Sequence, residues 1–179
     1  MMARCPGFSS DNFLFISGIS KTNIVLYALF TNFEIMTASR KSKIYFFFDK
    51  KVTLEKRRAL KKFLTSIFKK EQKNLGWVNF IFCSDDYLRS INKRYLRHNY
   101  YTDIVTFGLS GKTEPLRGEI YISVDRVKEN ATLFGISLKK ELHRVIIHGV
   151  LHLCGYRDKT RGQKKQMTAL EDYYLASYL

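Results

Sequence analysis

The sequence predicts an α+β fold, a small mixed four-stranded sheet packed with about five helices. Two observations carry that reading. Short runs rich in β-branched and aromatic residues stand among longer stretches whose apolar residues recur at helical spacing. Their order is strand, helix, two strands interrupted by a helix, another strand and three helices. At 179 residues the chain is long enough for one domain with a sizeable core and too short for two ordinary ones.

Along the chain, "KIYFFF" (43–48) is the first expected strand. In "TLEKRRALKKFLTSIFKKEQKN" (53–74), Leu54, Leu60, Phe63, Leu64, Ile67 and Phe68 form an apolar stripe opposite a basic face, which predicts a helix. "WVNFIFC" (77–83) is a second strand. Ser84, Asp85 and Asp86 suit a helix start, and Tyr87, Leu88, Ile91 and Tyr95 supply its apolar side. "DIVTFGL" (103–109) and "GEIYISV" (118–124) are two further strands around a loop containing Gly and Pro. A helix from about Asp125 to Leu133 stops at Gly135. Ser137 caps the next one, which runs to Gly155, a natural left-handed terminator. The last helix spans roughly Gln163 to Tyr178, with Met167, Leu170, Tyr174 and Leu175 inward.

The amino end differs from the rest. Residues 1–35 hold Arg4 and Lys21 against Asp11 and Glu34, so the whole formal charge of +15 belongs to residues 36–179. The expectation is a single domain over 36–179, starting at Met36, with 1–35 an extension outside the native product. A charge of +15, from 31 Lys and Arg against 16 Asp and Glu, is a common footprint of proteins that sit on phosphate backbones; a merely solvated basic surface is the bland alternative. The odd set Cys5, Cys83 and Cys154 indicates neither a disulfide framework nor a Cys-type zinc site, and reads as a reducing cytoplasm. No run reaches membrane-spanning length, since Lys21, Asn23 and Asn32 interrupt 12–33.

Three of the four histidines lie in "HRVIIHGVLHLCGYRDK" (143–159). His148 and His152, four apart on a helix, share one face to within about 40°. Gly155 lets the chain turn back, so Asp158 can return to the same ion. His-x3-His-x5-Asp is then a facial three-ligand set that leaves a position for water, on a zincin-like active-site helix. Without Gly155 and Asp158, a hydrogen-bonded core pair would be an equal reading of the histidines. Asp158 alone would read as a surface residue or a cap. A His-Glu-x-x-His metalloprotease has its base after the first His, where this chain has Gly149. Phosphodiester cleavage by metal-activated water suits the charge better.

"HGVLHLCGY" (148–156) resembles the signature of the YbeY family, metal-dependent endoribonucleases and rRNA maturation factors. "INKRYLRHNYYTDIVTF" (91–107) and "GEIYIS" (118–123) resemble two further segments of it, in the same order, from about Lys43 to the end. The resemblance implies one zinc ion per chain and cleavage of single-stranded RNA, in maturation of the small-subunit rRNA 3′ end and ribosome quality control. The chain departs from the pattern at Asp158, where the family has a third His, and at Leu96, where it has Arg; Arg97 is the neighbouring substitute. An anionic ligand lowers the Lewis acidity of the ion and broadens metal choice.

The expected catalytic set is therefore His148, His152 and Asp158, acting through metal-bound water, with Arg97. RNA contacts are expected from His98, Arg144, Arg157 and Lys159, and the basic helix face could track a backbone. His143, about 140° from His148, reads as a surface or core residue, and Cys154 as a small buried hydrophobe. The partners implied are rRNA, the small ribosomal subunit and ribosome-assembly proteins, with no membrane. An rRNA-binding assembly factor with a mainly structural metal is the alternative, and a hydrolase of another substrate a third.

Overall fold

The computed structural model describes residues 43–179 in full and the backbone of 13–15. Five strands form one mixed sheet: β1 (Phe13–Phe15), β2 (Ile44–Phe48), β3 (Leu75–Cys83), β4 (Ile104–Gly108) and β5 (Leu116–Ser123), in the order β1-β4-β5-β3-β2. β2, β3 and β5 run parallel, while β4 is antiparallel to β5 and parallel to β1. The four expected strands are all present. β1 adds an edge strand from a segment without a readable period; the rest of the expected 1–35 extension lies outside the described residues.

Among the described residues five α-helices accompany the sheet: α1 (Arg57–Lys70), α2 (Asp85–Ile91), α3 (Val124–Leu133), α4 (Leu138–Cys154) and α5 (Arg161–Tyr178). Side chains alternate across each strand, so Phe80 and Phe82 of β3 face the main core while Ile81 and Cys83 face a smaller one. The main core joins them to Leu60, Leu64, Ile67 and Phe68 of α1 and to Ile146 and Val150 of α4. The smaller holds Val105, Phe107 and Tyr121 under Leu88 and Ile91 of α2.

Two boundaries differ from expectation. α1 begins at Arg57, and Leu54 is buried ahead of it. After Ile91 the chain widens into a π-helical turn, Asn92–Leu96, so Tyr95 packs from that turn and Tyr87 lies exposed. Ser84, Ser123, Ser137 and Thr160 each accept a hydrogen bond from a backbone amide of the helix they open. Among the described residues no helix is long and apolar enough to cross a membrane.

Candidate metal centre

α4 is held hard against the sheet, and that closeness sets the height of its histidines. A Cβ on Gly149 would lie 2.8 Å from Ile104 Cδ1 and from Ile120 Cγ2, so only glycine fits there without movement. The helix stops at Gly155, whose φ of 105° is in the left-handed region that favours glycine. Tyr156 N–H then donates to the Leu151 carbonyl, and the reversed chain brings Asp158 back over the last turn.

One ligand atom from each of His148, His152 and Asp158 falls within 4.8 Å of the others. Asp158 Oδ2 is 3.8 Å from His148 Nε2, and its Oδ1 is 3.9 Å from His152 Nε2. These are longer than hydrogen bonds between the atoms. Two atoms bound to one zinc ion at about 2.1 Å and a tetrahedral angle sit roughly 3.4 Å apart, so small side-chain rotations would close the set on an ion. Asp158 does not cap α5 either: Thr160 does, in a capping box with Gln163.

The chemistry of the donors fits a metal as well. His148 Nδ1 donates to Oε1 of Glu171 at 2.6 Å, and His152 Nδ1 to the Tyr156 carbonyl at 3.0 Å. The Tyr156 carbonyl can only accept, which fixes the His152 hydrogen on Nδ1, and Glu171, with Arg144 beside it, orients the His148 ring from the same side. Burial first, and the neighbouring His148 second, push the His152 imidazole down to about 3, so it is neutral at pH 7, the form that ligates. The three side chains are 8–12 % exposed, largely dry yet open to solvent on one side.

Behind these ligands stand residues that sequence reasoning missed. Glu171 of α5 is fully buried. It falls on the inward stripe of Met167, Tyr174 and Leu175, and a lone acid on such a stripe was the available signal. Arg144 reaches it at 3.5 Å, and reaches Asp172 at 2.9 Å and Glu141 at 3.6 Å. Glu71, just past α1, accepts hydrogen bonds from the hydroxyls of Tyr156 (2.7 Å) and Tyr174. Its signal was weaker, a single Glu closing a basic helix.

The other expected site residues are placed variously. Arg144, read as an RNA contact, has its guanidinium turned to those carboxylates and shares its charge with them. Leu96 packs on the smaller core, and Arg97 is exposed with φ 59°. His98 stacks on Tyr100 and meets its hydroxyl at 3.0 Å; neither His98 nor Arg97 makes a described hydrogen bond to the three clustered side chains. Arg157 and Lys159 are exposed on either side of Asp158. His143 is buried, its Nδ1 donating to the Lys139 carbonyl, and Cys154 is buried with its thiol pushed up to about 12.

Fold and cluster together define a small α+β protein with a candidate metal centre built on one helix and the loop after it. Residues 45–179 match the family model described as Endoribonuclease YbeY, and the chain belongs to that family. The Endoribonuclease YbeY of Cytophaga hutchinsonii is 46% identical over 138 residues, covering 76% of this chain and 96% of that protein. That of Flavobacterium johnsoniae is 39% identical over 135 residues, covering 75% and 96%. Among solved structures, the solution structure of TM1509 from Thermotoga maritima is similar with a TM-score of 0.50 at 28% identity, over 75% of this chain and 88% of that one.

Proposed function

We propose that the protein is a single-strand-specific, zinc-dependent endoribonuclease of the cytoplasm, acting on the small-subunit rRNA 3′ end in rRNA maturation and ribosome quality control. The domain that does this spans 36–179. The single observation that carries the reading is the convergence of His148, His152 and Asp158, with both Nδ1 protons committed elsewhere. Family membership supplies the substrate class.

Zinc, when bound, supplies Lewis-acid activation of water and of the phosphodiester. The chain's own residues prepare that chemistry. Glu171 and the Tyr156 carbonyl hold the two rings in one tautomer and orientation. Asp158 brings the anionic donor and, through its position in the turn, leaves one side of the set facing solvent. Arg157 and Lys159 carry positive charge to that side, where a phosphodiester would enter. A ribosome-assembly role with a mainly structural metal predicts a different result: rRNA binding without cleavage.

The deciding experiment measures zinc by elemental mass spectrometry in wild type and Asp158→Ala, and follows cleavage of a single-stranded rRNA 3′-end substrate on the same samples. The expected outcome is near-stoichiometric zinc in wild type, with metal and cleavage lost together in the variant. Cleavage retained without metal would refute the assignment.

A further inference from the structure

α1 carries an unusual charge pattern. From Lys56 to Lys70 it has seven basic residues and no acid. Lys56, Arg57 and Arg58 stand at the helix amino end, where the macrodipole disfavours cations, and no side chain caps that end. Local helix stability does not explain such a placement.

The cations divide into two groups. Arg57 lies over the Phe48 ring at 4.5 Å, Lys61 over Phe46 at 5.5 Å, and Lys70 over Tyr173 at 4.4 Å; these pack against β2 and α5. Lys56, Arg58, Lys62 and Lys69 are exposed, and among the described residues none has an acidic partner. Elsewhere Lys50, Arg117, Arg126, Lys139 and Arg144 pair with carboxylates, while exposed cations such as Lys93, Lys112 and Lys164 have no ion pair among the described residues, so what sets α1 apart is that its unpaired cations share one line. At 100° per residue Arg58, Lys62 and Lys69 lie within about 40° of one line, a straight cationic stripe roughly 16 Å long.

The carboxyl end of α1 is joined to the metal loop. Glu71, the residue after α1, accepts from Tyr156, which stands two positions before Asp158 and whose carbonyl holds His152. The carboxyl end of α1 is therefore fastened to the turn that closes the ligand set.

We propose that Arg58, Lys62 and Lys69 form a docking track for the sugar-phosphate backbone of single-stranded RNA, running along α1 to the metal centre. The inference rests on the reading of the protein as a ribonuclease and adds the path by which its substrate lies. The track contacts phosphates and carries no sequence preference, so its contribution is affinity and salt dependence.

The test uses the full chain with zinc and a fluorescent single-stranded RNA 14-mer, read by anisotropy across a salt series at 4 °C and checked intact on a denaturing gel after each reading. Lys62→Gln/Lys69→Gln is compared with Lys112→Gln/Lys128→Gln, which removes equal charge outside the stripe. The expected result is about a tenfold weaker affinity for the stripe variant, a salt slope shallower by roughly 1.4, and a near-wild-type control. When cleavage is followed instead, KM rises while kcat and zinc content hold. Equal weakening in both variants would mean that only net charge matters and would overturn the track, as would a stripe variant that binds like wild type. The ribonuclease reading survives either result. Wild type that binds a poly-glutamate peptide and no RNA would overturn both, while leaving zinc content to report on the metal centre alone.

Discussion

Glu171 lies with a carboxylate oxygen 2.6 Å from His148 Nδ1, at full burial and 23 residues further along the chain. The pair joins α5 to α4 directly behind a candidate metal ligand. Its charge is offset by Arg144, which keeps a buried carboxylate tolerable in a sheet-backed core.

Replacing Glu171 with Leu should therefore free the His148 ring and weaken zinc binding by roughly 10–100-fold. Glu171→Gln keeps an oxygen acceptor and should lose less. Competition against a chromophoric chelator measures both, and equal, wild-type affinity in the two variants would show that the contact does not orient the ring. Arg144 retains Asp172 and Glu141 in either case, so the substitution does not strand it.

How far the site could be read from sequence depends on distance along the chain. His148, His152, Gly155 and Asp158 span eleven residues, and helix geometry plus one glycine turn bring them together. The partner behind His148 is Glu171, and the Tyr156 turn that holds His152 is itself held by Glu71, 85 residues before Tyr156; no local period reports such contacts. The strands were legible because their aromatic runs are dense. The π-helical turn after Ile91 was not: the apolar spacing of Leu88, Ile91 and Tyr95 continues through it as though the helix went on. Which side Arg97 faces was hidden for the same reason, since the wider turn decides which neighbour points inward.

Tyr156→Phe removes the hydroxyl that donates to Glu71 while keeping the ring and the carbonyl that holds His152. The expected cost is about 1 kcal/mol of stability, because the tyrosine is only partly buried and the bond is to a charged group that keeps Tyr174. Denaturant unfolding of the zinc-loaded protein measures it. Zinc affinity should fall only a few-fold; a loss as large as that of Glu171→Leu would mean that the loop depends on Glu71 more than on its own turn.

His143 gives a pH dependence of definite sign. Burial, the first cause, holds its imidazole below the usual value, against the hydrogen bond to the Lys139 carbonyl. An unfolded histidine titrates near pH 6.5. The unfolded chain thus takes up a proton that the folded protein resists, so this contribution is present above about pH 6.5 and is lost as pH falls below it. In urea titrations at pH 7.5 and 5.5, wild type should lose more stability on acidification than His143→Gln. Identical losses would mean that the buried ring is protonated in the folded protein.

Two glycines at the interface of α4 with the sheet separate side-chain crowding from backbone crowding. At Gly149 an added Cβ meets the ends of Ile104 and Ile120, which yield partly by rotation, and alanine favours the helix by about 1 kcal/mol over glycine. At Gly118 the Cβ meets Leu153 Cδ2 at 2.7 Å and the Phe107 carbonyl oxygen at 2.9 Å. That carbonyl belongs to β4, antiparallel to β5, and Gly108 is the register partner of Gly118, so it moves only if the pairing moves. Gly149→Ala should cost roughly 1–2 kcal/mol and Gly118→Ala at least about 3 kcal/mol by denaturant unfolding. Because Gly149 is adjacent to His148, its milder variant should still weaken zinc binding measurably. Equal stability of the two variants would mean that α4 can lift from the sheet without penalty, and that the height of the histidines is set by the Gly155 turn instead.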